Sequence, residues 1–224
     1  MARQHLFVDG VRGHAETQYL VRTTRGESYA PLHLPQPAEG TWCGPWSLLQ
    51  AVLVLCKWPR SRVANPETRR EPLRTFWSRV RELYADGMFE TDIEELAKVL
   101  APAISVKVTV TDSAKQVGRI VAAAIREGHV PLVRFSSRSW SHYSACIGCE
   151  VEDGSPHATA LLLLDPNAQS PWATFYGARL ELVAEARPQQ PFPLRLRYLN
   201  GDTWRARIDS VVVIKRGDDH REQP

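Results

Sequence analysis

The chain has 224 residues, 43% of them hydrophobic and 24% charged, with a formal net charge of +3, which describes a globular protein able to bury one sizeable core. Its basic residues are scattered among acids rather than gathered in a stripe, which excludes a nucleic-acid footprint. The longest apolar run falls far short of the ~20 residues a membrane helix requires, so no membrane partner is expected.

In chain order, short strands are expected at His5–Val8 and Gln18–Arg22, broken by Asp9-Gly10 and Arg25-Gly26, as a hairpin or an edge addition. Pro31 to Pro37 is an extended, Pro-rich approach that no helix can use. Cys43-Gly44-Pro45 then opens a helix running to Cys56. From Trp46 onward only Ser47 and Gln50 are polar, the pattern of a helix buried on most sides. Pro45 suits a first helical turn.

A polar loop is expected from Trp58 to Pro72, and a helix from Pro72 to Ala85 with Leu73, Phe76, Trp77, Val80, Leu83 and Tyr84 on one face, stopped by Gly87. Thr91 and Glu94 form a capping-box pattern for a helix over Asp92 to Leu100. A strand at 104–110, a helix capped by Ser113 and closed by Gly128, and a strand at 129–135 follow. The remainder reads as strands at about 142–151, 159–165, 194–199 and 203–215, with Asn200-Gly201 as a hairpin turn. Helices first and an antiparallel sheet after is the α+β pattern. Residues 1–35 are read as an N-terminal strand and extended segment, 36–215 as one domain, and 216–224 as a disordered tail.

Cys43 at the mouth of a buried helix sits where free N–H groups and the helix dipole favour a thiolate, the nucleophilic form. His142 stands out among seven histidines because it opens a strand behind a Ser-rich loop. If Asp153-Gly154 is a two-residue hairpin turn, His142 lies opposite Asp165, and a register shift of two puts Asn167 there instead. Asp165 is the expected orienter of the ring. Cysteine, histidine and carboxylate then form a nucleophile, a base and a group that orients the base.

Cys43-Gly44-Pro45 before an apolar helix, His142-Tyr143 with Gly148, and Leu164-Asp165-Pro166 resemble papain-like cysteine peptidases, closest to the C39-like, bacteriocin-processing branch. Asp86-Gly87, the Thr91 helix and Glu127-Gly-His-Val-Pro-Leu-Val add to the likeness, which spans about residues 36 to 167. The resemblance implies a papain-like fold for 36–215, a helical half with the buried helix packed on an antiparallel β-sheet. It implies a Cys43–His142–Asp165 triad cleaving an amide bond of a peptide or protein through a thioester, with no cofactor. It also implies an oxyanion-hole glutamine, here Gln36, seven residues before Cys43 and one more than the commonest spacing. Trp42 and Trp140 flank the reactive residues as cleft candidates. The same scaffold serves glutamine deamidation, acyl transfer and peptidoglycan amide cleavage, including in bacterial effectors. A silent binding module with Cys43 as packing is the alternative from another class.

Met1 to Gly10 lacks the apolar stretch of a signal peptide, so a cytoplasmic location is expected, with signal-less export as an effector compatible with it. The four cysteines are then expected to be reduced. Cys146 and Cys149 have zinc-like spacing but fall on a strand, where positions three apart face opposite ways, and no second pair lies at finger spacing. No metal is expected. Cys56, Trp46, Trp58 and Trp77 are read as core, and the oligomeric state is left open.

Overall fold

The structure is a computed structural model that describes residues 3–13, 20–23, 29–37, 42–83, 88–168, 176–182 and 190–217. The expectations for Gln18 and Tyr19, Arg25-Gly26, Tyr84 to Gly87 and most of the tail lie outside those residues.

Strand β1 (Arg3–Phe7) is followed by β2 (Val11–Gly13), β3 (Leu20–Thr23) and β4 (Tyr29–Pro31). The last three form a small antiparallel sheet, whereas β1 leaves them to pair elsewhere. After Leu32, His33 and Leu34, all buried, comes helix α1 (Cys43–Cys56), buried from Gly44 to its end and closed by Lys57 in the left-handed conformation at φ 55°. The polar stretch behind it holds a short helical turn, α2 (Arg60–Val63), where a loop was expected. Pro59 supplies the start, and Val63 is buried.

Helix α3 (Leu73–Leu83) buries Leu73, Phe76, Trp77 and Val80, the face its periodicity marks. Helix α4 (Glu90–Val99) begins two residues earlier than Asp92. Its cap is not the Thr91/Glu94 box. Instead Asp92 reaches back to accept the Phe89 N–H at 2.7 Å, the reach of a carboxylate at the third helical position. Strand β5 (Ile104–Val110) leads to α5 (Ala114–Arg126), whose cap Ser113 accepts the Gln116 N–H at 3.3 Å.

The second half is a closed barrel. Strands β6 (Val130–Ser136), β7 (Ser141–Glu152), β8 (Ala158–Leu164), β9 (Ala178–Glu181), β10 (Leu194–Tyr198) and β11 (Thr203–Arg216) run β7-β6-β11-β10-β9-β8, and β8 pairs back to β7. Every neighbouring pair is antiparallel, so closure removes the edges an open sheet would leave. Strand β1 adds to β7, and β5 adds to β11. The molecule is thus α+β, with helices packed against an antiparallel barrel rather than an open sheet. Helices α1 and α5 cover it, α1 against β5, β6, β7 and β11, and α5 mainly against β8 and β7. No helix among the described residues is long and apolar enough to cross a membrane.

One turn agrees with expectation and one differs. Asn200-Gly201 lies in the hairpin turn between β10 and β11, where the Tyr198 N–H donates to the Asp202 carbonyl at 2.9 Å and Gly201 takes φ +95°. Between β7 and β8 the loop is longer than Asp153-Gly154, and irregularities interrupt the ladder at Cys146/Gly148 and Glu150/Val151. Ala145 therefore faces Leu164, two residues beyond the partner that a tight turn gives.

Close approach of α5 to β8 explains Gly118. A methyl group there would come within 2.6 Å of the Ala158 carbonyl oxygen and 3.2 Å of Leu182. Alanine favours a helix by ~1 kcal/mol over glycine, but overpacking against backbone costs ~1–3 kcal/mol. The steric cost is expected to win, so Gly118→Ala should lower the urea midpoint with an unchanged slope. A midpoint at or above wild type would refute the close packing.

Candidate active site

Cys43 is the first residue of α1, and the first helical bond runs from the Trp46 N–H to the Trp42 carbonyl at 3.1 Å. The N–H groups of Cys43 and Gly44 therefore have no partner within the helix, and Pro45 has none to place. Glycine follows the cysteine because α4 packs on this turn. A Cβ at Gly44 would stand 2.9 Å from Ile93 Cδ1 and 3.4 Å from the Met88 sulfur.

The half-buried Cys43 thiol hydrogen-bonds the His142 ring and meets the Tyr143 main chain. His142 is the second residue of β7, opposite Phe135 of β6. Its Nε2 lies 2.6 Å from Asp165 Oδ1, which leaves Nδ1 for the sulfur. Trp140 and Phe135 hold the ring by edge contacts, with centroids 6.3 and 5.5 Å away.

Asp165 is fully buried just beyond the end of β8. Oδ1 also accepts the Asn167 N–H at 2.8 Å, and Oδ2 accepts the Tyr198 O–H at 2.9 Å. Its main-chain oxygen accepts the His33 Nε2–H at 2.9 Å. The ladder itself does not place Asp165 opposite His142. Strand β8 ends first, and a turn closed by the Ala168 N–H on the Asp165 carbonyl, 3.2 Å, swings the carboxylate to the ring. Asn167, the alternative orienter, donates its N–H to that carboxylate, and its Oδ1 accepts the Gln36 side-chain N–H.

The polar residues of α1 tie these pieces together. Ser47 O–H donates to the Tyr143 carbonyl at 3.0 Å. Gln50 donates to the Leu164 carbonyl at 3.1 Å and accepts the Leu34 N–H at 3.3 Å. One helix thus grips the residue after His142 and the residue before Asp165.

Burial alone would push the His142 imidazolium toward neutrality. The Asp165 charge and hydrogen bond, with the thiol's own, outweigh it and raise the ring to about 10. Burial opposes the Asp165 charge too, yet the imidazolium, the Asn167 N–H and the Tyr198 hydroxyl hold it below the usual carboxylate range. For Cys43 desolvation favours the thiol, and the His142 hydrogen bond and charge reverse that, lowering its pKa. His33 is lowered by burial, which suits a neutral donor to a carbonyl.

Gln36 is anchored to the acid turn. Its N–H donates to the Pro166 carbonyl at 2.9 Å and its side chain to Asn167 at 3.4 Å. Trp140 lines a cavity of about 440 Å³ beside His142, together with Asn167, Gly177, Tyr198, Asp202 and Trp204. Trp42 instead packs on Trp77 at 6.3 Å, away from that lining.

Cys146 and Cys149 are buried free thiols in β7, both raised by burial, Cys149 to about 11. The described residues hold no group of three or more His, Cys, Asp or Glu placed for a metal. Sequence reasoning missed His33 and Tyr198. His33 sits in a Pro-rich stretch and Tyr198 beside a turn, so neither carried a periodic signal, whereas Ser47 and Gln50 did stand out as polar residues in an apolar helix.

No protein-family model and no curated protein matches the chain. Among solved structures, the crystal structure of UfSP from C. elegans is similar at a TM-score of 0.46 and 12% identity, over 96% of this chain and 34% of that one, so the chain spans about a third of that protein's length.

Proposed function

We propose that the chain is a cysteine-dependent hydrolase of amide bonds in a peptide or protein, of the papain-like type that its Cys-Gly-Pro, His-Tyr and Asp-Pro motifs resemble. The observation that carries this reading is the relay from the Cys43 thiol to His142 and on to a fully buried Asp165 at 2.6 Å. A packing cysteine has no use for an imidazole held by a buried carboxylate. A nucleophile does.

In this reading the Cys43 thiolate attacks the carbonyl carbon, and the π electrons move to oxygen. The oxyanion meets the Cys43 N–H at the helix mouth and the Gln36 side chain. As the tetrahedral species collapses, the C–N bond breaks and His142 gives its Nδ1 proton to the leaving amine. Water attacks the resulting thioester, its proton passes to His142, and the C–S bond breaks to release the acid. Asp165 stays ionised and fixes the ring throughout.

Labelling with iodoacetamide near pH 6 tests the nucleophile. An ordinary thiol is almost wholly protonated there, and a lowered pKa raises the thiolate fraction more than it dulls nucleophilicity. Wild type should react roughly tenfold or more faster than free cysteine, at a single site absent from Cys43→Ala, and His142→Ala should lose that excess while keeping its circular dichroism. Reaction no faster than free cysteine sinks the proposal. Incubation with a peptide mixture, read by mass spectrometry, distinguishes backbone fragments from deamidation.

The raised His142 value also fixes the sign of a stability effect. The imidazolium contributes fully below its unfolded value of 6.5, and that contribution is lost as pH rises toward about 10. Urea midpoints of wild type should therefore fall between neutral and strongly alkaline pH. In Asp165→Asn the fall should be smaller and begin lower. Parallel profiles for the two proteins would contradict the ion pair.

A further inference from the structure

We propose that Tyr198 is a positioning residue for the Cys43–His142 pair, its hydroxyl locking the Asp165 carboxylate with Oδ1 toward the ring; this rests on the hydrolase reading above. The two carboxylate oxygens are served unequally. Among the described residues, Oδ1 has His142 and the Asn167 N–H, whereas Oδ2 has the Tyr198 O–H alone, at 2.9 Å. Asp165 is fully buried, so no bulk water replaces that donor, and without it one oxygen of a buried charge is bare. The carboxylate then gains by rotating, and rotation draws Oδ1 from the imidazole.

Tyr198 is well placed for the task. It ends β10, its own N–H is tied to the Asp202 carbonyl at 2.9 Å, and it faces the cavity beside His142. It lies more than thirty residues beyond the Leu164-Asp165-Pro166 motif, in the β10–β11 hairpin. Among the described residues, the charged and titratable groups around the carboxylate are His142 from β7, Cys43 from α1, Tyr198 from β10 and His33 from the extended segment, with Asp202 beyond Tyr198. Of these, His142 and Tyr198 hydrogen-bond the carboxylate itself.

Loss of a donor to an ionised carboxylate raises its pKa. Stability carried by Asp165 is present above the unfolded carboxylate value and is lost as pH falls through the folded one, so a higher folded value brings the loss at higher pH. The test uses the full chain as wild type, Tyr198→Phe, Asp165→Asn and the double variant. Each is followed by iodoacetamide alkylation of Cys43 and by urea unfolding, from acid to neutral pH.

Tyr198→Phe should slow alkylation about tenfold, the scale of one hydrogen bond to a charged group, and move both the acid limb and the acid unfolding midpoint to higher pH. Added to Asp165→Asn it should change neither. A loss of stability that is equal at every pH, or that persists in Asp165→Asn, makes Tyr198 mere packing and overturns the proposal. If Tyr198→Phe does not fold, 2,3-difluorotyrosine at position 198 keeps the ring and strengthens the donor, so the limb must move to lower pH; an unmoved limb overturns the proposal. A wild-type thiol no faster than free cysteine counts against the hydrolase reading, and the unfolding midpoints then still decide whether Tyr198 holds Asp165.

Discussion

Everything near the thiol depends on keeping one carboxylate charged where no water reaches it. Taking an ion such as Asp165 out of water costs several kcal/mol unless hydrogen bonds and an opposite charge offset it. Here the offsets come from separate parts of the chain: the imidazole from β7, an N–H from the turn after β8, and a hydroxyl from β10. The extended segment before α1 adds His33 on the main-chain oxygen of the same residue. The successive pairings of β7 with β8, β8 with β9 and β9 with β10 bring these donors to one point.

Helix α1 shows how that point is set against the Cys43 thiol. Cys43, Ser47 and Gln50 stand at i, i+4 and i+7, a single polar stripe on a helix otherwise apolar all round. The stripe begins with the thiol and continues with two hydrogen-bonding side chains aimed at Tyr143 and Leu164. Both bonds go to main-chain carbonyls next to His142 and Asp165, so they fix the strand ends in space whatever their side chains do. Each satisfies a buried polar group that would otherwise cost ~1–3 kcal/mol. That penalty makes other helix positions costly and keeps the geometry single-valued.

The legible parts of the fold were those governed by short-range rules. The buried face of α3, the Ser113 cap and the strand at Ile104–Val110 follow from periodicity and one side-chain hydrogen bond. Strand β9 was not legible, since Ala178–Glu181 is four residues long and owes its form to pairing with β8 and β10. Barrel closure escaped for the same reason. The start of α4 was misplaced because two capping patterns overlap there, and Asp92 prevailed over Thr91. In the site, Cys43, His142 and Asp165 stood out by motif and register, whereas Tyr198 and His33 hydrogen-bond Asp165 and had no local pattern to betray them.

The hairpin register is the instructive case, because its details differ and its outcome survives. Strand side chains alternate with a period of two, so a slip of two residues keeps every side chain on its face, whereas a slip of one reverses them all. The longer β7–β8 loop supplies such an even shift, present at Val151 on Ala158 and again at Ala145 on Leu164, because the two irregularities between them cancel. Asp165 and Asn167 thus share a face, and the turn after Leu164 decides between them. In that turn the Asn167 N–H folds back onto Asp165 Oδ1, an aspartate closing its own turn, and the carboxylate is left pointing at the ring. The same turn offers its Pro166 carbonyl to the Gln36 N–H. Gln36 is therefore placed across the fold, by the acid turn, and counting residues along the chain to Cys43 is a poor gauge of where its side chain lies.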